Sequence, residues 1–181
     1  MFTLRDYQKN AVDGVRHSYQ KGFKAPLLVL PTGGGKTIVF CFIAMSAAQR
    51  GKKVLILVHR VELLKQTVAK LRAFGMRVGM ISPKFSFDPS ANVFVGMVQT
   101  LPNRFNICPA FDLVITDEAH HAVSSTYLKI TEFYSDAFQS GVTATPIRTD
   151  GKGLGKDQDW HISNGLHLHG ILGIELARSF H

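Results

Sequence analysis

The sequence predicts an α/β domain, a mostly parallel sheet flanked by helices, and three observations point there. Short apolar runs, Leu27–Leu30, Val54–Val58, Val93–Val98 and Leu113–Ile115, alternate with longer stretches of helical character. These runs lack the apolar–polar alternation of a half-exposed strand, so they read as buried on both faces, as strands of a parallel sheet are. Each run also gives way at once to polar or charged residues: Pro31–Thr37, His59-Arg60, Gln99-Thr100 and Asp117-Glu118. In open parallel sheets ligands gather at the carboxyl ends of the strands.

The elements follow in chain order. Leu4–Gln20 has helical periodicity, with Val12, Val15 and Tyr19 on one face. Strand Leu27–Leu30 breaks at Pro31, passes three glycines and enters an apolar helix that ends near Arg50-Gly51. Strand Val54–Val58 runs into His59-Arg60 and an amphipathic helix with Val61, Leu64, Val68 and Leu71 facing inward and Gly75 as its stop. A short strand, Arg77–Ile81, precedes a loop containing Pro83 and Pro89, and strand Val93–Val98 leads to Gln99-Thr100-Leu101. Strand Leu113–Ile115, a helix over Thr126–Tyr134 and a final core strand near Gln139–Thr143 complete the pattern.

The chain has 181 residues, 45% of them hydrophobic, enough for one good-sized core and unlike the composition of a disordered protein. Its longest apolar run, Ile38–Ala44, is too short to span a bilayer, and Met1–Asp6 lacks a secretory apolar region. A cytoplasmic protein without a membrane partner is the expectation. Cys41 lies in an apolar helix and reads as a buried small hydrophobe; with Cys108 it suggests neither a disulfide framework nor a zinc site. The net charge of +8 is concentrated: Arg50–Lys84 holds nine basic residues against Glu62 alone, whereas the rest of the chain has twelve of each sign. Such a segment suggests a polyanionic partner.

Strand, glycine loop, Lys-Thr and helix form the layout of a phosphate-binding loop, here Pro31-Thr32-Gly33-Gly34-Gly35-Lys36-Thr37. Glycines let backbone N–H groups turn onto a polyphosphate, and the start of the following helix directs its dipole at the same anion. Lys36 is placed to neutralise the outer phosphates, and the Thr37 hydroxyl to hold Mg²⁺. The general pattern has a glycine where this chain has Leu30. Asp117-Glu118 leaves a buried strand, a costly place for two carboxylates unless a cation meets them. Mg²⁺ bound to a triphosphate is such a cation: Asp117 would hold the metal and Glu118 would orient and deprotonate the attacking water.

Taken together, these motifs resemble the N-terminal RecA-like domain of superfamily 2 helicases of the DEAH-box form, in the branch of DNA-repair and type III restriction-type enzymes. Leu30–Thr37 looks like motif I, which in this superfamily does not require the absent glycine. Leu57–Arg60 is similar to motif Ia, and Val95–Leu101 to the next nucleic-acid-contacting motif. Asp117-Glu118-Ala119-His120 stands as motif II, and Val142–Pro146 looks like motif III. The resemblance implies a P-loop NTPase using ATP and Mg²⁺, with Gln8, next to Arg5 in Arg5-Asp6-Tyr7-Gln8, contacting adenine. It also implies that His120 links motif II to Thr143 and Thr145, and that His59, Arg60, Gln99 and Thr100 lie along nucleic acid, DNA in preference to RNA.

The expected ATP-binding domain is 1–148, followed by a divergent tail, 149–181, expected to be poorly ordered. In the resembled family the arginines facing the γ-phosphate belong to a second RecA-like domain, so the sequence reads as one half of a helicase or translocase whose other half is absent or supplied by a partner chain. A frameshift or early stop would account for the change in character after Gly155. Two rival readings remain: a non-catalytic nucleotide or nucleic-acid binding module or gene remnant, and a P-loop phosphotransferase, for which no acceptor site is visible. The histidines of the tail, His167 and His169 among them, lack the carboxylate or cysteine partners of a metal site.

Overall fold

The computed structural model describes residues 3–83, 88–121, 124–144 and three short strands, 159–162, 166–169 and 171–173. The expected roles of Lys84 and Thr145 fall outside the described residues, as does most of the tail. The described residues form four helices and nine strands in the order α1 (Asp6–Gln20), β1 (Leu27–Val29), α2 (Lys36–Ala48), β2 (Val54–Val58), α3 (Val61–Ala73), β3 (Val78–Ile81), β4 (Val93–Met97), β5 (Leu113–Asp117), α4 (Ser125–Phe133), β6 (Phe138–Thr143), β7 (Asp159–Ile162), β8 (Leu166–His169) and β9 (Ile171–Gly173). Two 3-10 turns, Leu101–Arg104 and Ala119–His121, follow β4 and β5.

Seven strands form one sheet in the order β3-β4-β2-β5-β6-β1-β9. Every pairing within it is parallel, including that of β9 with the edge of β1. The hairpin β7–β8 is antiparallel and separate. Residues of β2 alternate between two cores: Val54, Ile56 and Val58 pack under α1, α2 and α3, whereas Leu55 and Leu57 pack toward α4. All five are fully buried, which is why the run contains no polar residue. Parallel neighbours need long crossovers, and α2, α3 and α4 supply them on both faces.

Helix α2 is apolar almost all round because it lies between the sheet and its neighbours α1 and α3. Val39, Phe40, Cys41 and Ala44 are fully buried. Helix α3 turns Leu64, Val68 and Leu71 inward as the periodicity predicts, but not Val61, which is 41% exposed. Val61 is the first residue of α3, beyond the reach of the core, and it lines a groove with His59, Ser82 and Thr100. Gly75 ends α3 at φ +77°, a left-handed conformation suited to glycine.

Gly141, in the middle of β6, is where the sheet admits the 3-10 turn after β5. A Cβ there would lie 2.8 Å from Leu27 Cδ1 and 2.9 Å from Ala119 Cβ. Gly141→Ala is therefore expected to cost about 1–3 kcal/mol by overpacking, read as a lower urea midpoint with an unchanged slope.

Candidate nucleotide site and nucleic-acid groove

The phosphate-loop candidates lie between β1 and α2. Gly33 and Gly35 have φ of +82° and +75°, and Gly35 caps α2. Gly34 donates its N–H to Pro31 O at 2.9 Å, and a Cβ at Gly34 would sit 2.9 Å from that same oxygen. A Cβ at Gly35 would come within 2.5 Å of Gln8 Nε2. The loop is thus closed against any side chain at two successive positions, leaving its backbone as the surface it offers. Thr32 is exposed, and Lys36 and Thr37 open the first turn of α2.

Gln8, 4% exposed, sits under this loop. Its Oε1 accepts the N–H of Arg5, the residue preceding α1, at 3.0 Å, which directs its amide nitrogen toward Gly35. Arg5 itself is exposed. The adenine-reading candidate and the phosphate loop are therefore neighbours, although 27 residues separate Gln8 from Gly35.

Strand order brings the remaining candidates to the loop. In the parallel register Asp117 pairs with Val142, and Val29 with Thr143, so the end of β6 lies between those of β5 and β1. Leu30 N–H donates to Thr143 O at 2.9 Å. Lys36 Nζ reaches Glu118 Oε1 at 3.0 Å, with the two side chains 15% and 24% exposed. His120 Nδ1 lies 3.0 Å from Thr143 Oγ1 and 3.2 Å from Glu118 Oε2. The Thr143 hydroxyl can donate or accept, so this contact suits either neutral tautomer of the imidazole. Burial, with the neighbouring His121 and Lys36, lowers the His120 pKa below the usual histidine value. Thr145 lies outside the described residues.

Asp117 is 4% exposed and accepts the Glu118 N–H on Oδ1 at 2.9 Å. Burial, reinforced by the charge of Glu118, pushes its pKa up to about 6. Among the described residues Glu118 is the one non-glycine residue in the left-handed region, at φ +52°. That conformation turns the chain sharply off β5 and aims the Glu118 side chain back at Lys36.

His59, Arg60, Gln99 and Thr100 gather at the carboxyl ends of β2 and β4. Gln99 Nε2 donates to His59 O at 3.4 Å, and His59, Gln99 and Thr100 line one groove of about 280 Å³ with Val61 and Met97. A second cavity of about 490 Å³, on the other side of His59, is lined by Arg60, Glu62, Glu118, His120 and His121.

The basic segment does not form one face. Lys52 pairs with Asp112 at 3.1 Å and Arg77 with Asp88 at 2.9 Å, at the amino ends of β5 and β3. Lys70 and Arg72 occupy the last turn of α3, at that same far end. Among its described cations Arg60 and Lys65 belong to the carboxyl side, because α3 starts at the carboxyl end of β2 and runs back along the sheet. The chain reversal that makes a parallel sheet divides the segment between two opposite ends.

Three contacts escaped the sequence reading: the Lys36–Glu118 ion pair, the seat of Gln8 against Gly35, and the packing of His121 against His59. Only Gly141, a glycine inside a strand, signalled a close approach near the site. Among the described residues no group of three or more His, Cys, Asp and Glu is arranged to hold a metal ion by itself. No described helix is long and apolar enough to cross a membrane.

The fold is that of a RecA-like domain of the superfamily 2 helicase type. More specifically, the chain belongs to the family described as type III restriction enzyme, res subunit, whose model matches residues 1–148. It is 36% identical to a 51.5 kDa protein of a Lactococcus phage over 143 residues, 74% of this chain and 29% of that protein. It is 31% identical to the DNA 3'-5' translocase XPB2 of Sulfurisphaera tokodaii over 153 residues, 82% of this chain and 32% of the relative. The Hef helicase domain of Pyrococcus furiosus superposes with a TM-score of 0.64 at 28% identity, covering 81% of this chain and 34% of the other. The chain thus spans about a third of the length of these proteins.

The raised Asp117 pKa sets a pH dependence. A carboxyl whose folded pKa lies above its unfolded value, near 4, contributes stability below that value and loses the contribution as pH rises through about 6. Above pH 6 its buried charge costs roughly 2–3 kcal/mol. Asp117→Asn is therefore expected to be more stable than the parent by that amount at pH 8 in EDTA, the gap closing toward pH 4 in urea unfolding.

Proposed function

We propose that this chain is the ATP-binding half of an ATP-dependent helicase or translocase that acts on DNA inside the cell. The observation that carries the reading is the convergence of Lys36, Glu118, His120 and Thr143, from three different strand ends, in a chain of contacts none longer than 3.2 Å. The name DNA 3'-5' translocase borne by one relative supports DNA as the polymer, and the words ATP-dependent helicase in the name of another support ATP as the fuel.

The residues fit Mg²⁺ and a triphosphate. The glycine loop offers backbone where side chains would clash, and Asp117 is a buried carboxylate poor in cationic partners. Thr37 and Asp117 would hold Mg²⁺, which supplies positive charge to the phosphates when bound. Lys36 would exchange Glu118 for phosphate, releasing the carboxylate to orient water as a base. His120, fixed between Thr143 and Glu118, holds that carboxylate in place. Gln8 presents its amide nitrogen at the loop for a purine edge. The γ-phosphate side of such a site needs a charge-stabilising arginine, and a second RecA-like domain or partner chain is the proposed source.

Lys36→Ala should weaken Mg–ATP binding by about 2–3 kcal/mol, the size of a charge-assisted contact. Equal affinity of parent and variant for a fluorescent ATP analogue would overturn the site.

For DNA, Arg60→Ala is expected to lower the slope of log affinity against log salt by about one phosphate contact. A Lys52→Ala, Arg77→Ala double variant, altered at the opposite end of the sheet, should leave that slope unchanged. The reverse ranking would move the DNA to the other end.

A further inference from the structure

His121 has no part in the chemistry described so far, yet its ring packs against His59, the residue at which the two cavities of the site meet. The His121 imidazole lies 5.0 Å from that of His59, centroid to centroid, at an interplanar angle of 59°, and 4.1 Å from that of His120 at 45°. His59 is the residue shared by both cavities: the groove of Gln99 and Thr100, and the chamber of Glu118 and His120. The Nδ1 atom of His59 is buried with no hydrogen-bond partner among the described residues, so ring packing rather than a polar contact at that atom fixes this imidazole.

The other end of the chain of contacts is equally short. His121 N–H donates to Glu118 O at 2.9 Å across the 3-10 turn Ala119–His121. Glu118 occupies the left-handed region, a conformation that a non-glycine side chain keeps only while its surroundings enforce it. The His121 backbone thus helps to hold the Glu118 turn, and the ring carried on that backbone is seated against His59 and His120. On the groove side, Gln99 holds the His59 carbonyl, so a nucleic-acid strand seated against Gln99 and Thr100 fixes the backbone that carries the His59 ring.

We propose that His121 is a positioning residue: packed against His59, it couples a nucleic-acid strand in the groove to the placement of Glu118 at the nucleotide. The inference rests on the ATP- and DNA-binding reading above and adds the route by which one site senses the other. Coupling of this kind is reciprocal, so it appears as a change in nucleotide affinity when DNA is present.

The test measures the affinity of the 181-residue chain for a non-hydrolysable Mg–ATP analogue, with and without a saturating single-stranded oligodeoxynucleotide. The parent is expected to change its affinity by about fivefold or more, in the ordinary range of such couplings. His121→Ala should reduce that change below about twofold while each ligand alone still binds within about twofold of the parent, and His121→Phe, which keeps a ring on His59, should restore it. A merely structural role would instead weaken both ligands alike and would not be rescued by Phe. If His121→Ala does not fold, His121→Leu fills the same space without an aromatic face and is expected to lose the coupling in the same way. Full coupling in the ring-less variant overturns the proposal, as does a parent that binds both ligands without coupling. A parent that binds neither ligand overturns the functional reading itself.

Discussion

The ion pair between Lys36 and Glu118 is the contact on which the arrangement of the site depends. It joins residues 82 positions apart, one at the start of α2 and the other just beyond β5. An ion pair on an open surface would be worth little, because water screens both partners. Here both side chains are largely covered, and each would otherwise leave the other's charge without a partner. The pair forms because β6 lies between β1 and β5 and stops at Thr143, short enough for Lys36 to reach across its end. The site therefore holds Lys36 and Glu118 against one another, in an orientation from which a phosphate can take the lysine.

Asp117 shows the complementary case, a carboxylate placed where the fold does not satisfy it. It is nearly inaccessible, its neighbour Glu118 carries the same charge, and among the described residues its side chain has one hydrogen bond, from the Glu118 backbone N–H. A core position of this kind is destabilising in the ligand-free protein. Its presence at the carboxyl end of a buried strand makes sense as a site for an added cation, and the cost in stability is the measure of how far the position departs from what folding alone would select.

The sheet and its strand ends were legible because burial on both faces writes itself into the sequence. The bounds of β2 match its apolar run at both ends, and β4 differs by one residue, since Val98 leaves the ladder as the chain turns toward Gln99. β5 runs two residues further than its apolar stretch, through Thr116 and Asp117, because pairing with β6 continues past the last hydrophobic side chain. Val61 was expected to face inward and does not, and the division of the basic segment between two ends was not visible in the sequence, for a common reason: periodicity tells which side of a helix faces inward but not where along the sheet a residue ends up. Val61 has the right phase and sits beyond the core, while Lys52, Lys70 and Arg77 are close to Arg60 in sequence and at the opposite end in space. Contacts such as that of Gln8 with Gly35 depend on the packing of one helix on another, for which a single sequence has no short-range signal.

Charge separation along the strands follows from the same topology and has a consequence for the site. At the amino ends of the strands, cations meet local carboxylates, Lys52 with Asp112 and Arg77 with Asp88. At the carboxyl ends two described carboxylates are engaged, Glu118 by Lys36 and His120 and Asp117 by its own backbone neighbour, while Glu62 lies beside Arg60 in the chamber lining. Arg60, exposed at the mouth of the chamber that Glu118 lines, makes no ion pair with a described residue. Lys70 and Arg72, at the amino ends, make no ion pair with a described residue either, so cations stay available at both ends of the sheet, and Arg60 is set beside the carboxylate Glu118. Long-range attraction of a polyanion depends on such uncompensated charge rather than on the total. The net charge of the chain therefore does not tell at which end of the sheet DNA would bind.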